Sequence, residues 1–411
     1  MKYGLIGKKL VHSFSQDIHA KIGRYPYKHI ELSPEEVGGF LANRDFDGLN
    51  VTMPYKQTVI PYLDDMSDLA GEVGAVNTIV NRNGKLIGYN TDVGGMKILF
   101  EDMEIDPAGK KVLIAGSGGT SRTAERVASD LGAAEIIRVS RSGRDGAVTY
   151  EDAYRDHTDA GILINTTPAG MYPDITGIPF DPDRFPDTAG VVDVVYNPLK
   201  PALVRRAAEK GITAVNGLYM LVAQAVIAAE LFTGESVNRS EISRIYRELM
   251  SEKTSIVLTG MPCSGKTTLG RILSEKLGRP LVETDDEIVA RAGMPITEIF
   301  SRYGEKHFRD LESEVVFEAS LSGGKVISTG GGAVLRKENT DALKMNGTIV
   351  FLDRRLEDLL PSDDRPLADN ADKIRKLYEK RYPIYKGAAD VIIKVQGTEE
   401  STADEIWRAM K

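Results

Sequence analysis

Residues 255–268, Ser255-Ile256-Val257-Leu258-Thr259-Gly260-Met261-Pro262-Cys263-Ser264-Gly265-Lys266-Thr267-Thr268, read as a strand, a glycine-rich turn and the start of a helix that continues to Leu277. The turn fits G-x-x-x-x-G-K-[ST], a phosphate loop. Its glycines let backbone N–H groups close around phosphate oxygens at the positive end of a helix. Lys266 then reaches the β- and γ-phosphates, and the Thr267 hydroxyl ligates Mg²⁺. Gly260, Ser264, Gly265, Lys266, Thr267 and Thr268 are therefore candidate ATP-binding residues, with Lys266 also a catalytic candidate.

Features farther along narrow the phosphate acceptor. Glu283-Thr284-Asp285 ends the next strand-like segment, where a carboxylate can act on Mg²⁺ or on an acceptor hydroxyl. His307-Phe308-Arg309, expected before a helix, supplies a cation. Gly330-Gly331-Gly332 follows the apolar run Lys325–Thr329 and permits close approach of a small ligand. Asp364-Arg365-Pro366-Leu367 and Lys380-Arg381-Tyr382-Pro383 each add an arginine.

Together these motifs resemble shikimate kinase over residues 254–411. The resemblance implies that Asp285, Arg309, Arg381 and Gly330, Gly331 and Gly332 bind shikimate, the two arginines gripping its carboxylate through their planar forks. It also implies that Arg365 is a lid arginine approaching the phosphates, and that Asp285 orients or deprotonates the attacking hydroxyl. Glu283 stands where the family has aspartate, with an indirect role at Mg²⁺. Cys263 stands where glycine is common, a position open to any residue if its backbone is right-handed helical.

In the first half, Lys111-Val112-Leu113-Ile114-Ala115 forms a strand running into Gly116-Ser117-Gly118-Gly119-Thr120-Ser121, and a helix follows to Leu131. Against G-x-G-x-x-G, Ser121 takes the third glycine position. The next strand, Glu135–Val139, ends in Ser140-Arg141-Ser142. An NAD site places Asp or Glu there for the ribose 2′-hydroxyl; a cation flanked by hydroxyls suits a 2′-phosphate, hence NADP. Gly116, Ser117, Gly118, Gly119, Ser140, Arg141 and Ser142 are the candidate cofactor residues.

Three clusters precede this turn: His12-Ser13-Phe14-Ser15-Gln16-Asp17-Ile18-His19, Asn50-Val51-Thr52-Met53-Pro54-Tyr55-Lys56, and Gly74-Ala75-Val76-Asn77-Thr78 with Asn90-Thr91-Asp92. They resemble shikimate dehydrogenase, and the likeness continues to about residue 250. The resemblance implies Lys56 and Asp92 as the catalytic pair, with Ser13, Ser15, Thr52, Asn77, Tyr196 and Gln224 binding 3-dehydroshikimate or shikimate. Reducing a ketone needs a hydride and a proton at the developing alkoxide. Lys56 is the expected donor and Asp92 its orienter, although the residues alone leave open which carries the moving proton.

The 411 residues, 42% hydrophobic and 27% charged, are ordinary globular composition and predict two or three cores. The net charge of −8 disfavours a nucleic-acid partner. The single cysteine excludes an intramolecular disulfide and suits a reducing, cytoplasmic compartment. The first residues lack a signal-like apolar run, and the uncharged stretch 211–229 reads as a buried helix, not a membrane span. The expected fold class is α/β with parallel sheets. Residues 1–250 form a two-lobed dehydrogenase (substrate lobe about 1–105 and 225–250, Rossmann-like NADP lobe about 106–224). Residues 254–411 form a P-loop kinase whose parallel sheet is flanked by helices. The expected function is therefore two consecutive shikimate-pathway steps. The alternatives are an NAD-linked quinate/shikimate dehydrogenase fused to the kinase, or a ligand sensor with one degenerate half.

Overall fold

The computed structural model describes residues 2–11, 13–359 and 370–410. The chain divides into two units, Met1–Asn197 with Pro201–Glu248, and Pro198–Lys200 with Leu249–Lys411.

In the first unit, one lobe carries β1 (Tyr3–Gly7), β2 (Tyr27–Glu31), β3 (Gly48–Val51), β4 (Asp65–Met66), β5 (Thr78–Arg82) and β6 (Lys85–Tyr89), in spatial order β2-β1-β3-β5-β6-β4. Its helices are α1 (Ser15–Ile22), α2 (Glu36–Asn43), α3 (Asp68–Val73) and α4 (Asp92–Asp102). Here the sheet differs from the parallel one expected. Strands β1, β2 and β3 pair in parallel, but β5 runs antiparallel to both β3 and β6. The cause is local: Asn83 and Gly84 take φ of 53° and 87°, the left-handed pair that closes a two-residue hairpin.

The other lobe is a parallel sheet of β7 (Lys111–Ala115), β8 (Glu135–Val139), β9 (Ile162–Asn165), β10 (Gly190–Asp193) and β11 (Thr213–Val215), ordered β11-β10-β9-β7-β8. Helices α5 (Gly119–Asp130), α6 (Tyr150–Asp156) and α7 (Ala202–Glu209) connect its strands. The strand order reverses beside β7, which opens a crevice at the C-terminal ends of β7 and β9. Gly116–Gly119 lie at the end of β7, at that reversal.

The chain then returns to the first lobe through α8 (Leu218–Thr233), which packs against α1 and α4. The lobe boundary expected at residues 224–225 falls inside this single helix. No helix among the described residues is long and apolar enough to cross a membrane. Gly95 explains how closely α4 approaches α8. A Cβ there would lie 2.9 Å from the Gln224 backbone nitrogen and 2.9 Å from the Met220 carbonyl, so only glycine lets the two backbones meet. Helix α9 (Ser240–Lys253) follows and contains the division between the units, slightly before the linker expected at 250–254.

The second unit is a parallel sheet of β12 (Ser255–Thr259), β13 (Leu281–Glu283), β14 (Val326–Ser328), β15 (Gly347–Asp353) and β16 (Val391–Lys394), ordered β13-β14-β12-β15-β16. Strand β12 is buried along its whole length, as a strand covered on both faces must be. Ile256 and Leu258 enter one core with Leu269, Leu273 and Ile406; Val257 enters the opposite core with Ile327, Phe351 and Tyr385. The helices are α10 (Lys266–Leu277), α11 (Thr284–Ala292), α12 (Ile296–Ser320), α13 (Lys337–Asn346), α14 (Ala371–Ala388) and α15 (Glu399–Ala409). His307-Phe308-Arg309 lies inside α12, not before a helix as expected. Gly304, with φ 81° and ψ 171°, breaks α12 just upstream, so the Arg309 turn belongs to its second segment.

Candidate active sites

Lys56 and Asp92 come together in the first unit although they are 36 positions apart in sequence, with Lys56 Nζ donating to Asp92 Oδ2 at 2.6 Å. The loop after β3 is fixed on both sides of the lysine. Thr52 N donates to the Ile6 carbonyl at 3.0 Å, Val76 N donates to the Lys56 carbonyl at 2.8 Å, and the buried Tyr55 donates its hydroxyl to the Leu32 carbonyl. Asp92 is the first residue of α4, where the positive end of the helix favours a carboxylate. The side chains are 21% and 10% exposed, so the pair is open at one edge and shielded elsewhere.

Asn77, Thr91 and Gln224 form a second group beside this pair. Asn77 Nδ2 lies 3.0 Å from Thr91 Oγ1 and 3.4 Å from Gln224 Oε1. Thr91, absent from the expected residues, is adjacent in sequence to Asp92 and links the two groups; its place in Asn90-Thr91-Asp92 was the available signal. Ser13 and Ser15 form a third, their hydroxyls 3.2 Å apart. Tyr196 joins them: burial pushes its phenol up, and a hydrogen bond with Ser13 pulls it back. Thr52 sits in the lysine loop, immediately after β3. His12 lies outside the described residues.

In the crevice lobe, Gly116 has φ 124°, and a Cβ there would meet Thr166 Oγ1 at 2.3 Å. Gly118 caps α5 without a side-chain hydrogen bond and has nothing within 4 Å of where a Cβ would lie, which leaves room for a phosphate group on the helix N–H groups. Ser121, in place of the third glycine, turns its hydroxyl inward to the Gly116 carbonyl at 3.0 Å and so ties the loop to its own helix. Ser117 lies between these glycines. At the end of β8, Ser140 Oγ accepts from Gly143 N at 3.1 Å, which folds the turn and leaves Arg141 and Ser142 exposed. Arg144 is exposed in the same turn and was not among the expected residues.

The phosphate loop of the second unit takes the conformations that its glycines permit, with φ of 151° at Gly260 and 96° at Gly265. Cys263 overturns the right-handed expectation: its φ is 62°. That is a glycine-favouring geometry, costing a non-glycine residue about 1–2 kcal/mol. Lys266 Nζ donates to the loop carbonyls of Gly260 and Met261 at 3.1 and 2.8 Å, so it is drawn to the oxygen-rich mouth of the loop. Ser264 Oγ is buried without a partner, while Thr268 is exposed on the first turn of α10. Thr267 Oγ1 donates to Glu283 Oε2 at 3.3 Å, and Glu283 Oε1 is buried without a partner. No group of three or more His, Cys, Asp or Glu among the described residues could hold a metal. One hydroxyl plus one carboxylate with a spare oxygen fits a Mg²⁺ completed by nucleotide phosphates and water.

Beside this loop, the glycine triplet is where the remaining groups converge. A Cβ on Gly330 would lie 2.5 Å from Asp285 Oδ1 and 2.9 Å from Glu312 Oε1; one on Gly332 would lie 1.9 Å from Arg309 Nη1. The Gly331 carbonyl accepts from Arg381 Nη1 at 2.9 Å and from the Tyr385 hydroxyl. Glu312, which sequence reasoning missed, accepts from Arg309 Nη1 at 2.7 Å. Its signal was the spacing of three that puts Arg309 and Glu312 on one helix face. Burial pushes the Glu312 carboxyl up, Arg309 pulls it down, and Asp285 opposes that pull. Arg365 lies outside the described residues.

Known proteins match both units. The family model described as "Shikimate dehydrogenase substrate binding domain" matches residues 5–79, and that described as "Shikimate kinase" matches residues 262–411. The chain is 39% identical to a shikimate dehydrogenase (NADP(+)) of Halothermothrix orenii over 261 residues, 56% of this chain and 90% of that protein. The crystal structure of shikimate dehydrogenase 1 from Peptoclostridium difficile matches with a TM-score of 0.57 and 34% identity, covering 61% of this chain and 98% of that one. The shikimate 5-dehydrogenase of Thermus thermophilus, solved in complex with NADP(H) and shikimate, matches with a TM-score of 0.55 and 29% identity over 60% of this chain and 99% of that one. A lysine–carboxylate pair in the unit that carries the glycine turn after β7, and a phosphate loop beside a glycine triplet met by Arg309 and Arg381, agree with those matches: this chain belongs to the shikimate dehydrogenase family, carries a shikimate kinase domain at its C-terminal end, and is a bifunctional shikimate-pathway enzyme.

Proposed function

We propose that the first unit reduces 3-dehydroshikimate to shikimate with NADPH, and that the second transfers the γ-phosphoryl group of ATP to the 3-hydroxyl of shikimate. The observation that carries the first half is the 2.6 Å Lys56–Asp92 contact beside the amides of Asn77 and Gln224. Bound NADPH supplies the hydride. Lys56 donates a proton from Nζ to the oxygen that becomes the alcohol, and Asp92, 2.6 Å away, keeps that ammonium aimed. Ser13, Ser15 and Tyr196 hold the substrate carboxylate; Thr52, Asn77 and Gln224 hold its hydroxyls.

In the second unit, Asp285 orients the attacking hydroxyl while Arg309 and Arg381 grip the carboxylate across Gly330–Gly332. The backbone N–H groups of Gly260–Lys266 cradle the phosphates, assisted by Ser264 and Thr268, and Lys266 neutralises charge building on them. Mg²⁺, when bound, neutralises phosphate charge; Thr267 and Glu283 are the side chains that would hold it.

NADP specificity follows from Arg141 and its neighbouring hydroxyls at the end of β8, where no acidic residue stands to take a ribose 2′-hydroxyl. The test compares kcat/KM for NADPH with that for NADH. A preference for NADPH of at least about a hundredfold is expected, the order of one lost charge-assisted contact pair of roughly 3 kcal/mol. Arg141→Ala should remove most of it. Equal use of both cofactors by the unaltered enzyme would favour the NAD-linked quinate/shikimate alternative, which activity with quinate would then identify.

A further inference from the structure

Behind Asn77 runs a buried chain of polar side chains that the mechanism above does not use. The Tyr25 hydroxyl lies 2.9 Å from His19 Nδ1, and His19 Nε2 lies 3.1 Å from Asn50 Oδ1. Asn50 Nδ2 donates to Thr78 Oγ1 at 3.0 Å, and Thr78 Oγ1 donates to Asn77 Oδ1 at 3.2 Å. His19, Asn50, Thr78 and Asn77 are all buried, so each misdirected donor or acceptor would be left unpaired away from water.

Backbone groups, whose roles cannot invert, fix the direction of this chain. The Thr91 N–H donates to Asn77 Oδ1 at 2.7 Å, which identifies that atom as the oxygen. The Leu221 carbonyl accepts from Gln224 at 2.9 Å, which identifies the atom facing it as Nε2. The Asn77 carbonyl accepts from Asn50 at 3.5 Å, which identifies that atom as Nδ2 and the one facing His19 as Oδ1; His19 Nε2 therefore donates to Oδ1, beside the Tyr27 hydroxyl at 2.7 Å, and Nδ1 accepts from Tyr25. That is the neutral imidazole. Burial pushes His19 down to about 3, which favours the neutral ring, and that ring is stacked on Tyr27 with centroids 3.8 Å apart.

Asn77 Oδ1 thus accepts from the Thr91 N–H and faces the Thr78 and Thr91 hydroxyls, each 3.2 Å away, while of the two Nδ2 hydrogens one meets Thr91 Oγ1 at 3.0 Å and the other is engaged only at 3.4 Å. We infer that His19, Asn50 and Thr78 are positioning residues that hold the Asn77 amide with its N–H edge toward the substrate, so that this wall of the pocket selects hydroxyl oxygens acting as acceptors. The inference rests on the proposal that Asn77 and Gln224 bind substrate hydroxyls. Hydroxyl recognition by a fixed donor discriminates strongly, because an analogue without the oxygen leaves the buried donor unpaired.

The test uses the full chain and follows shikimate oxidation with NADP⁺ for Thr78→Val, which keeps the shape and removes the hydroxyl, Thr78→Ser, which restores it, and His19→Phe, which keeps the stack on Tyr27. Thr78→Val and His19→Phe should raise KM for shikimate about tenfold or more, with KM for NADP⁺ and the kinase activity of the same chain within twofold. Thr78→Ser should return KM for shikimate to within threefold of the unaltered enzyme. Thr78→Val leaving KM for shikimate within twofold would overturn the inference. So would a loss shared equally by KM for NADP⁺ and thermal stability and not recovered by serine. An unaltered enzyme with no activity on shikimate would instead remove the underlying functional reading.

Discussion

Lys56→Met is expected to lower the dehydrogenase kcat/KM by about a thousandfold, within the range for losing a positioned proton donor. Methionine keeps the unbranched apolar stem of lysine and lacks only its terminal nitrogen, so the loop held by Thr52, Tyr55 and Val76 should remain in place. What disappears is the ammonium 2.6 Å from Asp92, and with it both the proton for the alkoxide and the partner of a largely shielded carboxylate. The loss should fall mainly on kcat, because the substrate-binding side chains stay in position. Kinase activity, measured on the same preparation with shikimate and MgATP, should be unchanged. A variant that kept more than a tenth of its dehydrogenase activity would remove Lys56 from the mechanism.

Arg309→Met should raise KM for shikimate in the kinase reaction about a hundredfold and also destabilise the second unit. Two effects are combined. The bidentate grip on the substrate carboxylate is lost, worth roughly 3 kcal/mol for a charge-assisted pair. Glu312, 1% exposed at its side chain, is left without the cation that compensates its burial, at a cost of about 3 kcal/mol. The double variant Arg309→Met, Glu312→Gln separates them. By removing the orphaned charge it should recover most of the urea midpoint, yet KM should stay high. Recovery of both would mean that Arg309 serves only to pair Glu312.

The two glycine-rich turns were legible because their pattern is local. A strand, a glycine-bounded turn and a helix are adjacent in sequence, and the spacing of Gly260, Gly265 and Lys266 specifies the geometry by itself. Lys56 and Asp92 were legible only through their surrounding motifs; no periodicity predicts that the loop after β3 meets the first turn of α4. Glu312 was missed because a glutamate three residues from an arginine on a helix is ordinarily a solvated pair, and only the tertiary burial of α12 makes it otherwise. The mixed first sheet could have been read from Asn83-Gly84, a hairpin signal overridden by the alternation of strands and helices around it. Cys263 is the reverse case: the sequence permitted a right-handed backbone, and the loop between Gly260 and Gly265 takes φ 62° there instead. The buried chain from His19 to Asn77 links residues from α1, β3 and β5, so its polarity exists only once those elements are packed.

If one chain performs both steps, a single vessel reveals it. Purified enzyme is mixed with 3-dehydroshikimate, NADPH and MgATP, with no other enzyme present. NADPH oxidation is followed by absorbance, ADP release by chromatography, and the products by mass spectrometry. NADPH should be consumed first, ADP should appear only after shikimate has formed, and the final product should carry one reduced carbonyl and one phosphoryl group, with one NADPH and one ATP spent per molecule. NADPH oxidation that stops at shikimate, or ADP release that does not depend on prior reduction, would contradict this.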